Sequence, residues 1–345
     1  MRELVLAEIG RLEVRERETP TPGPGEVLIR IVATGICGSD IHGYTGENGR
    51  RFPGQVMGHE SSGYIAAVGE GVADSLQVDA PVTFNPVVIP AEDAEAYAGR
   101  EQHHPKKVVI GVEPSVPASF ADYVLIPAQN VVPLPDSLPV ELGALIEPLA
   151  VAVHAVRRVM NADVKRVLVI GGGPIGQSVV LALRDAGVED ILVSEVDQAR
   201  RDLIAGLGAK PIDPTQGSVA EQVAAEGGLV DVAIDAVGIT PTIQDALSST
   251  LLGGSVCLVG MGSPNVDLKA FAVSTEERSL VGSFTYAAKD FEYAAGIIGK
   301  DAERYRLLVS AEVPVAEADA AFKSLANGSA TPGKVLVRFD DESEG

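Results

Sequence analysis

The sequence predicts a two-domain α/β protein in which a doubly wound parallel sheet is joined to a β-barrel-type domain. Up to Leu138 the chain alternates short apolar runs with Gly and Pro turns. From Lys165 onward it repeats strand, loop and helix. The first rhythm favours a compact β-barrel and the second a parallel sheet. A length of 345 residues supports the division, because one hydrophobic core rarely serves so long a chain.

The amino-terminal part is expected to consist mainly of strands and turns. The runs 4–6 and 27–32 are rich in Val, Leu and Ile, and the prolines and glycines of 20–25 separate them. Further glycines punctuate residues 56–90 in the same way. An acidic, Ala-rich stretch follows at 91–106 and indicates a surface lobe.

The later part is expected to form the parallel sheet. A strand at 167–170 enters a glycine loop, and a helix then runs to about Ala186. Other strands are expected at 191–194, 230–234, 255–259 and 280–283, with a helix near 198–207. After Tyr286 the pattern predicts two helices, near 289–298 and 315–326, a strand at 334–339 and an acidic tail from Asp340.

Composition excludes several classes of partner. With 48 acidic and 27 basic residues the formal net charge is −21, which disfavours binding to nucleic acid or anionic membranes. Neither a signal peptide nor a run of about 18 apolar residues occurs, so no membrane span is expected. The sequence has two cysteines, Cys37 and Cys257, which lie far apart and do not form a disulfide framework. This pattern is typical of a protein in a reducing cytoplasm.

The glycine loop predicts a dinucleotide site. Gly171, Gly173 and Gly176 fit the pattern G-x-G-x-x-G, with Pro174 and Ile175 inside it, between a predicted strand and a predicted helix. The first glycine permits a tight turn, the second lets the backbone approach a pyrophosphate and the third lets helix pack on strand. The N–H groups at the helix start can then bind phosphate.

The end of the next strand bears on which dinucleotide binds. Glu195 lies 19 positions after Gly176, where a carboxylate accepts hydrogen bonds from the adenosine ribose and repels a 2′-phosphate. NAD is therefore favoured over NADP. Arg200 and Arg201 keep the alternative open, because they could hold a 2′-phosphate. A purely structural glycine turn is the other alternative.

Four residues offer metal-ligand chemistry: Cys37, His59, Glu60 and Glu147. A thiolate, an imidazole and a carboxylate suit zinc with an open position for substrate. Each also has a structural explanation. Cys37 could be a small core residue, His59 a satisfied core histidine and Glu147 an acceptor at a helix start. Neighbours in a strand point to opposite faces, so only a bend, for instance at Gly58, would bring His59 and Glu60 to one ion.

Five blocks together resemble the zinc-dependent medium-chain dehydrogenases. They are GICGSDIH at 35–42, GHESSGYIAAVGEGV at 58–72, GALIEPLAVAVHA at 143–155, VLVIGGGPIGQ at 167–177 and PGKVLV at 332–337. The second block matches the family's zinc signature. Glu147 stands where the alcohol dehydrogenases of the family have a cysteine, and so resembles the polyol (sorbitol-type) branch.

The resemblance implies an architecture and an activity. Residues 1–148 and 287–345 would form a GroES-like catalytic domain, and 149–286 a Rossmann NAD-binding domain. The activity implied is zinc- and NAD-dependent oxidation of a polyol, sugar or related secondary alcohol to a ketone. The alternatives are a zinc-free NAD(P)H-dependent quinone or enone reductase of the same superfamily and a non-enzymatic dinucleotide-binding protein.

The resemblance also implies roles for single residues. Cys37, His59 and either Glu60 or Glu147 would hold the zinc, Ser39 would take the substrate proton and His42 would pass it to solvent. The coenzyme would contact the loops named above and Val237, Val259, Gly260, Met261, Ser283 and Phe284. Tyr44 and Glu147 are expected at the substrate, although Tyr44 could equally be a core residue.

Two further expectations concern a second metal and assembly. Members of the family often carry a structural zinc on four cysteines, but residues 90–104 contain none, so one catalytic zinc and no structural zinc is expected. His103 and His104 are then expected to be surface residues. The enzyme would act on small molecules as a cytoplasmic homodimer or homotetramer.

Overall fold

The computed structural model describes residues 1–47, 49, 51–116, 118–328 and 331–340. The chain divides into two compact units, one formed by Met1–Glu147 with the chain from Tyr286 onward, the other by Pro148–Thr285. Each boundary lies one residue before the predicted one. Of the expected acidic tail, 341–345 lies outside the described residues. Among those described, no helix has the length and apolar character needed to cross a membrane.

The amino-terminal segment of the first unit is mainly β-structure, as its pattern predicts. One short helix follows the third strand, and several single 3₁₀ turns lie in the connections. The elements are β1 (Arg2–Glu8), β2 (Arg11–Glu16), β3 (Glu26–Gly35), α1 (Gly38–Tyr44), β4 (Glu60–Val68), β5 (Pro81–Phe84), β6 (Val87–Val88), β7 (Val108–Val109), β8 (Tyr123–Pro127) and β9 (Val131–Pro133).

The second unit alternates strands and helices. Its first helix begins at the last two residues of the first unit. The elements are α2 (Ile146–Val159), β10 (Arg166–Ile170), α3 (Pro174–Asp185), β11 (Asp190–Ser194), α4 (Gln198–Gly206), β12 (Lys210–Ile212), α5 (Val219–Ala225), β13 (Val230–Asp235), α6 (Thr240–Ser249), β14 (Thr250–Leu258), α7 (Phe271–Ser274) and β15 (Ser279–Gly282).

The chain then returns to the first unit and completes its sheet. The closing elements are α8 (Ala288–Ile298), α9 (Ala302–Arg306), β16 (Val309–Pro314), α10 (Ala318–Ala326) and β17 (Lys334–Arg338). The sheet order is β16-β17-β3-β4-β5-β9, with β8 also paired to β3. β3 is buried along nearly its whole length, which explains its continuous apolar sequence. β17 pairs with β3 across Leu336 and Gly35, so the end of the chain lies beside the GICGSDIH block.

The sheet of the second unit is parallel, in the order β12-β11-β10-β13-β14-β15. The predicted fold class is therefore confirmed. The sequence pattern missed β12, whose middle residue is Pro211. Proline cannot donate a ladder hydrogen bond and is tolerated here because β12 is an edge strand. The strands β11 and β13 lie on opposite sides of β10. The carboxyl ends of the strands at such a reversal of strand order form the ligand-binding edge of this fold.

The lobe at 90–104 is held by a buried histidine. His104 is 2% exposed, its Nε2 lies 3.0 Å from Asp93 Oδ2, and its Nδ1 accepts the Lys106 N–H at 3.0 Å. Tyr97 packs edge-on against the ring, with centroids 4.4 Å apart. The prediction of a surface residue is thus wrong for His104, because two hydrogen bonds and an aromatic contact satisfy the imidazole inside the lobe. His103 is exposed, as predicted.

Candidate metal centre and dinucleotide loop

Cys37 lies at the amino-terminal end of α1, two residues after β3 ends. Its N–H donates to Asp40 Oδ2 at 3.1 Å, and its carbonyl accepts the Asp40 N–H at 3.0 Å. These two bonds fix the first turn of the helix. The thiol is only partly exposed, so a defined backbone presents it near the end of the central strand.

Gly58 provides the bend that precedes β4. Its φ is +101°, a region that side chains disfavour, and a Cβ there would stand 2.7 Å from the Phe120 nitrogen. The turn lies immediately before His59 and Glu60. Because the strand becomes regular only at Glu60, the alternation that would separate the two side chains does not apply to this pair.

Cys37, His59 and Glu60 converge. Their ligand atoms all lie within 4.8 Å of one another, and His59 and Glu60 are buried. Ligands of one tetrahedral zinc lie about 3.3–3.8 Å apart, as follows from Zn–ligand distances of about 2.0–2.3 Å. A small contraction would therefore suffice. Among the described residues this is the single His, Cys and carboxylate group with metal-binding spacing, and its donor types fit zinc.

Glu60 forms a buried ion pair with Lys334, the first residue of β17. The lysine Nζ lies 2.8 Å from Oε1 and 2.6 Å from Oε2, and it also donates to the Ile36 carbonyl at 3.3 Å. Burial by itself disfavours the ammonium, but the negative charges of Glu60, Cys37 and Glu147 together outweigh it and raise the pKa of Lys334. Gly35 faces Glu60 in the β3–β4 register, and a Cβ on Gly35 would collide with the carboxylate.

His59 is flanked by a second buried carboxylate. Its Nδ1 lies 3.8 Å from Asp40 Oδ1, which in turn is 3.9 Å from Arg51 Nη2. Burial raises the pKa of Asp40. Burial would lower the pKa of His59, but Asp40 and Cys37 outweigh it and the pKa is raised. At 3.8 Å the two atoms lie beyond hydrogen-bond distance, so Asp40 acts on His59 through its charge.

Glu147 is buried beside this group but is not part of it. Its Oε1 accepts the Tyr286 hydroxyl at 2.8 Å, and burial raises its pKa to about 7. Burial raises the pKa of Tyr286, and the neighbouring Glu147 carboxylate raises it further. The set within 4.8 Å therefore pairs Glu60, rather than Glu147, with Cys37 and His59.

Ser39 and His42 occupy α1, one turn apart. His42 is half exposed, and its Nδ1 lies 2.9 Å from Glu47 Oε2. With Nδ1 engaged by a carboxylate, Nε2 is the nitrogen left to exchange a proton. The helix thus presents a hydroxyl and an imidazole immediately after Cys37.

Tyr44 belongs to the core. It is 3% exposed, its ring centroid lies 5.6 Å from that of Phe322, and its hydroxyl donates to Asp319 at 3.2 Å. The structure contradicts its predicted place at the substrate, because both ring and hydroxyl are already satisfied. The alternative of a core residue is the correct one.

The glycine loop follows β10 and leads into α3, which begins at Pro174. A Cβ on Gly176 would collide with the Gly171 carbonyl, so this close helix–strand contact requires glycine. Glu195, directly after β11, accepts the Gly172 N–H at 2.7 Å and the Asp197 N–H at 2.9 Å. Arg200 Nη1 lies 3.9 Å from its carboxylate.

The other residues expected at the coenzyme follow the next strands. They all lie at the carboxyl edge of the parallel sheet, where this fold binds ligands. Ser283 is buried, whereas Met261 and Phe284 are exposed. The set consists of Val237 after β13, Val259, Gly260 and Met261 after β14, and Ser283 and Phe284 after β15.

Sequence reasoning missed several residues of the metal centre. Lys334 carried a usable signal, since a lysine opening an apolar strand needs a partner once buried. The Asp40–Arg51 contact carried none, because burial of the two charges depends on tertiary structure. Glu47 was likewise found only through its contact with His42.

Comparison with known families agrees with this architecture. Residues 23–136 match the model of the alcohol dehydrogenase GroES-like domain, and 174–299 match that of the zinc-binding dehydrogenases. The chain belongs to the zinc-dependent medium-chain dehydrogenase family. The predicted family and enzyme class are confirmed: this dehydrogenase is an oxidoreductase of the alcohol and polyol type.

Relatives of this dehydrogenase extend over nearly its whole length. A 2-dehydro-3-deoxy-L-galactonate 5-dehydrogenase of Pseudoalteromonas atlantica is 31% identical, over 95% of this chain and 96% of the relative. A probable D-xylulose reductase A of Emericella nidulans is 30% identical, over 94% and 93%. The solved 2R,3R-butanediol dehydrogenase of Bacillus subtilis has a TM-score of 0.87 and 27% identity, covering 98% of this chain and 99% of that one.

Gly35→Ala should damage the metal centre, because its methyl group would occupy the space of the Glu60 carboxylate. We expect zinc per chain, measured by inductively coupled plasma mass spectrometry, to fall by about half or more, since precise ligand placement sets metal affinity. Gly38→Ala is the matched control. It is adjacent to Cys37 in the sequence, but its Cβ would meet nothing within 4 Å. Equal zinc contents in the two variants would contradict this reading of the Glu60 environment.

Proposed function

We propose that this protein uses one zinc ion and NAD to oxidise a polyol, sugar or related secondary alcohol to a ketone. The observation that carries the proposal is the convergence of Cys37, His59 and Glu60 within 4.8 Å. It also weighs against a zinc-free reductase, which would have no use for this donor set. The chain's membership of the zinc-dependent family supports the same choice.

Cys37, His59 and Glu60 would hold the zinc, with the fourth position open to substrate. When bound, zinc supplies a Lewis acid that makes an alcohol hydroxyl easier to deprotonate. The chain's own part is placement: Lys334 fixes the Glu60 carboxylate and Asp40 lies beside the His59 ring. Glu147, buried and bound by Tyr286, is the carboxylate next to the site and could exchange with Glu60 or contact substrate.

Ser39 and His42 would remove the proton. The Ser39 hydroxyl accepts the alcohol proton as it gives up its own to a relay through the coenzyme ribose, and His42, at the end of that relay, releases a proton to solvent through Nε2. Glu47 supports the assignment of Nε2 as the releasing nitrogen. Its carboxylate lies 2.9 Å from Nδ1 and holds the ring in one orientation. An imidazole that is half exposed can exchange protons with water directly.

NAD is proposed as the hydride acceptor on account of Glu195. Its carboxylate is buried against the glycine loop through the Gly172 N–H, which is where the adenosine ribose is expected. A fixed negative charge there disfavours a 2′-phosphate. Arg201 adds support, because its guanidinium binds the carbonyls of Glu195 and Val196 and the Asp213 carboxylate instead of facing a ligand.

The substrate class rests on the relatives. Their names refer to a five-carbon ketose, a sugar-acid derivative and a butanediol, which are carbon chains bearing more than one oxygen. We therefore propose a secondary alcohol with a neighbouring hydroxyl group. The absence of cysteine from the 90–104 lobe supports a single zinc, since His104 is satisfied by Asp93 and Lys106. A cytoplasmic location and a homodimer or homotetramer remain predictions from the sequence.

Alcohol-dependent formation of NADH tests the proposal. With a panel of polyols, sugar acids and diols, the zinc-loaded enzyme should increase absorbance at the NADH band with at least one compound. Cys37→Ala should abolish this turnover, by about 10³-fold or more, because removing a metal ligand removes the Lewis acid. Cys257→Ala, at the buried cysteine of the other unit, should retain activity. Turnover by metal-free Cys37→Ala at the wild-type rate would contradict the zinc mechanism.

The ligand carboxylate can be identified by comparing two isosteric variants. Glu60→Gln should lower zinc affinity by about 10- to 100-fold, a size typical of weakened metal ligation. Glu147→Gln should keep zinc near one per chain, since Glu147 lies outside the converging group. Competition with a chelating dye gives both affinities. The reverse pattern would make Glu147 the ligand and Glu60 a neighbour.

Replacing Glu195 should relax the choice of coenzyme. In Glu195→Ala we expect the ratio of kcat/KM for NAD to that for NADP to fall about tenfold or more, because the charge that repels a 2′-phosphate is gone. Asp197→Ala is the control: it removes a neighbouring charge that caps α4 rather than the glycine loop. An unaltered ratio in Glu195→Ala would exclude Glu195 from the ribose site.

A further inference from the structure

Asp235 is a fully buried carboxylate at the end of β13, and the proposed mechanism gives it no role. Its Oδ1 accepts the N–H groups of Val237 and Gly238 at 2.8 and 3.0 Å. Its Oδ2 accepts the Thr242 hydroxyl at 2.9 Å. Both oxygens are therefore used to shape the turn that leaves the strand.

The main chain of the same residue holds the neighbouring turn. The Asp235 carbonyl accepts the N–H groups of Val259 and Gly260, both at 2.9 Å. Beyond it, Gly262 and Ser263 donate to the carbonyls of Val237 and Gly238, each at 2.9 Å. The turns after β13 and β14 are thus joined as one layer.

This layer also touches the glycine loop. The Ala236 N–H donates to the Ile170 carbonyl at 2.9 Å, and a Cβ on Gly171 would stand 2.6 Å from Val237 Cγ2. The side chain and main chain of Asp235 therefore connect the turns that follow β13 and β14, and the next two residues, Ala236 and Val237, contact the end of β10 and the glycine loop.

We propose that Asp235 is a positioning residue for the nicotinamide half of the coenzyme. The inference rests on the proposed use of NAD. The sheet order supplies the direction: Glu195 follows β11, on one side of β10, and the Asp235 layer follows β13 and β14, on the other. With the pyrophosphate at the glycine loop after β10 and the adenosine at Glu195, the remaining half of the dinucleotide lies over the Asp235 layer.

Asp231 shows that the position of Asp235, rather than its hydrogen-bond count, distinguishes it. Asp231 lies near the opposite end of the same strand, and its Oδ2 accepts the N–H groups of Lys165 and Arg166 at 2.8 and 2.9 Å. It makes the same kind of bond at the edge of the sheet away from the coenzyme. It is therefore a matched control for a purely structural role.

Binding of NADH and of AMP separates positioning from folding. In Asp235→Ala we expect the Kd of NADH, from its fluorescence, to rise about tenfold or more, because two N–H groups lose their buried acceptor. The Kd of AMP, which carries only the adenosine half, should stay within about twofold by calorimetry. Asp235→Asn keeps an acceptor oxygen and should restore NADH binding to within about threefold. Asp231→Ala should change neither Kd.

Other outcomes overturn the inference. Asp235 would have a structural role only if the Kd of NADH in Asp235→Ala stays within twofold of that of the unaltered chain. The same holds if the Kd values of NADH and AMP rise equally. If Asp235→Ala does not fold, Thr242→Val is the variant to measure, since it removes one hydrogen-bond partner of the Asp235 carboxylate. Thr242→Val should weaken the binding of NADH but not that of AMP, and an equal loss of AMP binding would contradict the positioning role. Failure of the unaltered chain to bind NADH would refute the proposed function itself, a result distinct from normal NADH binding in the variants.

Discussion

The buried ion pair of Glu60 and Lys334 joins the parts of the chain on which the metal centre depends. Glu60 begins β4, Lys334 begins β17, and Gly35, beside them, ends β3. Removing a carboxylate from water costs several kcal/mol, and the ammonium of Lys334 offsets that cost for the fully buried Glu60. The lysine comes from the last described strand, so the return of the chain to its first unit supplies the partner of Glu60.

The charges around Cys37 add up to a site for a dication. Three carboxylates, those of Asp40, Glu60 and Glu147, are buried here together with the cations Lys334 and Arg51. With the Cys37 thiolate and a neutral His59, as ligation requires, the sum is minus two, which a zinc ion cancels. Burial raises the pKa of Glu147 to about 7, so its negative charge is held less firmly than that of an exposed carboxylate. The donor set and the charge balance thus favour the same occupant.

Much of this organisation could be predicted from residues that are close in sequence. The glycine loop, the strand before it and Glu195 lie within one βαβ unit, where spacing along the chain sets spacing in space. Cys37, His59 and Glu60 were predicted as ligand types from their chemistry, and the structure brings their ligand atoms within 4.8 Å of one another. The bend at Gly58 that lets His59 and Glu60 approach one point was anticipated as a condition. The same local reasoning placed Tyr44 at the substrate, and it was wrong because Asp319 and Phe322 come from distant parts of the chain. Lys334 indicated only that a partner was needed, and the fold supplies Glu60 from a distant strand. Asp40 lies near His59, and the Asp235 carbonyl binds Val259 and Gly260, only once the chain is folded.

Zinc K-edge X-ray absorption of the purified, zinc-loaded protein would identify the metal ligands, because it reports the atoms bound to the metal without relying on turnover. We expect one zinc per chain with a single sulfur neighbour at about 2.3 Å and nitrogen or oxygen neighbours at about 2.0–2.2 Å. A spectrum without a sulfur shell, or with two or more sulfur neighbours, would contradict the site of Cys37, His59 and Glu60.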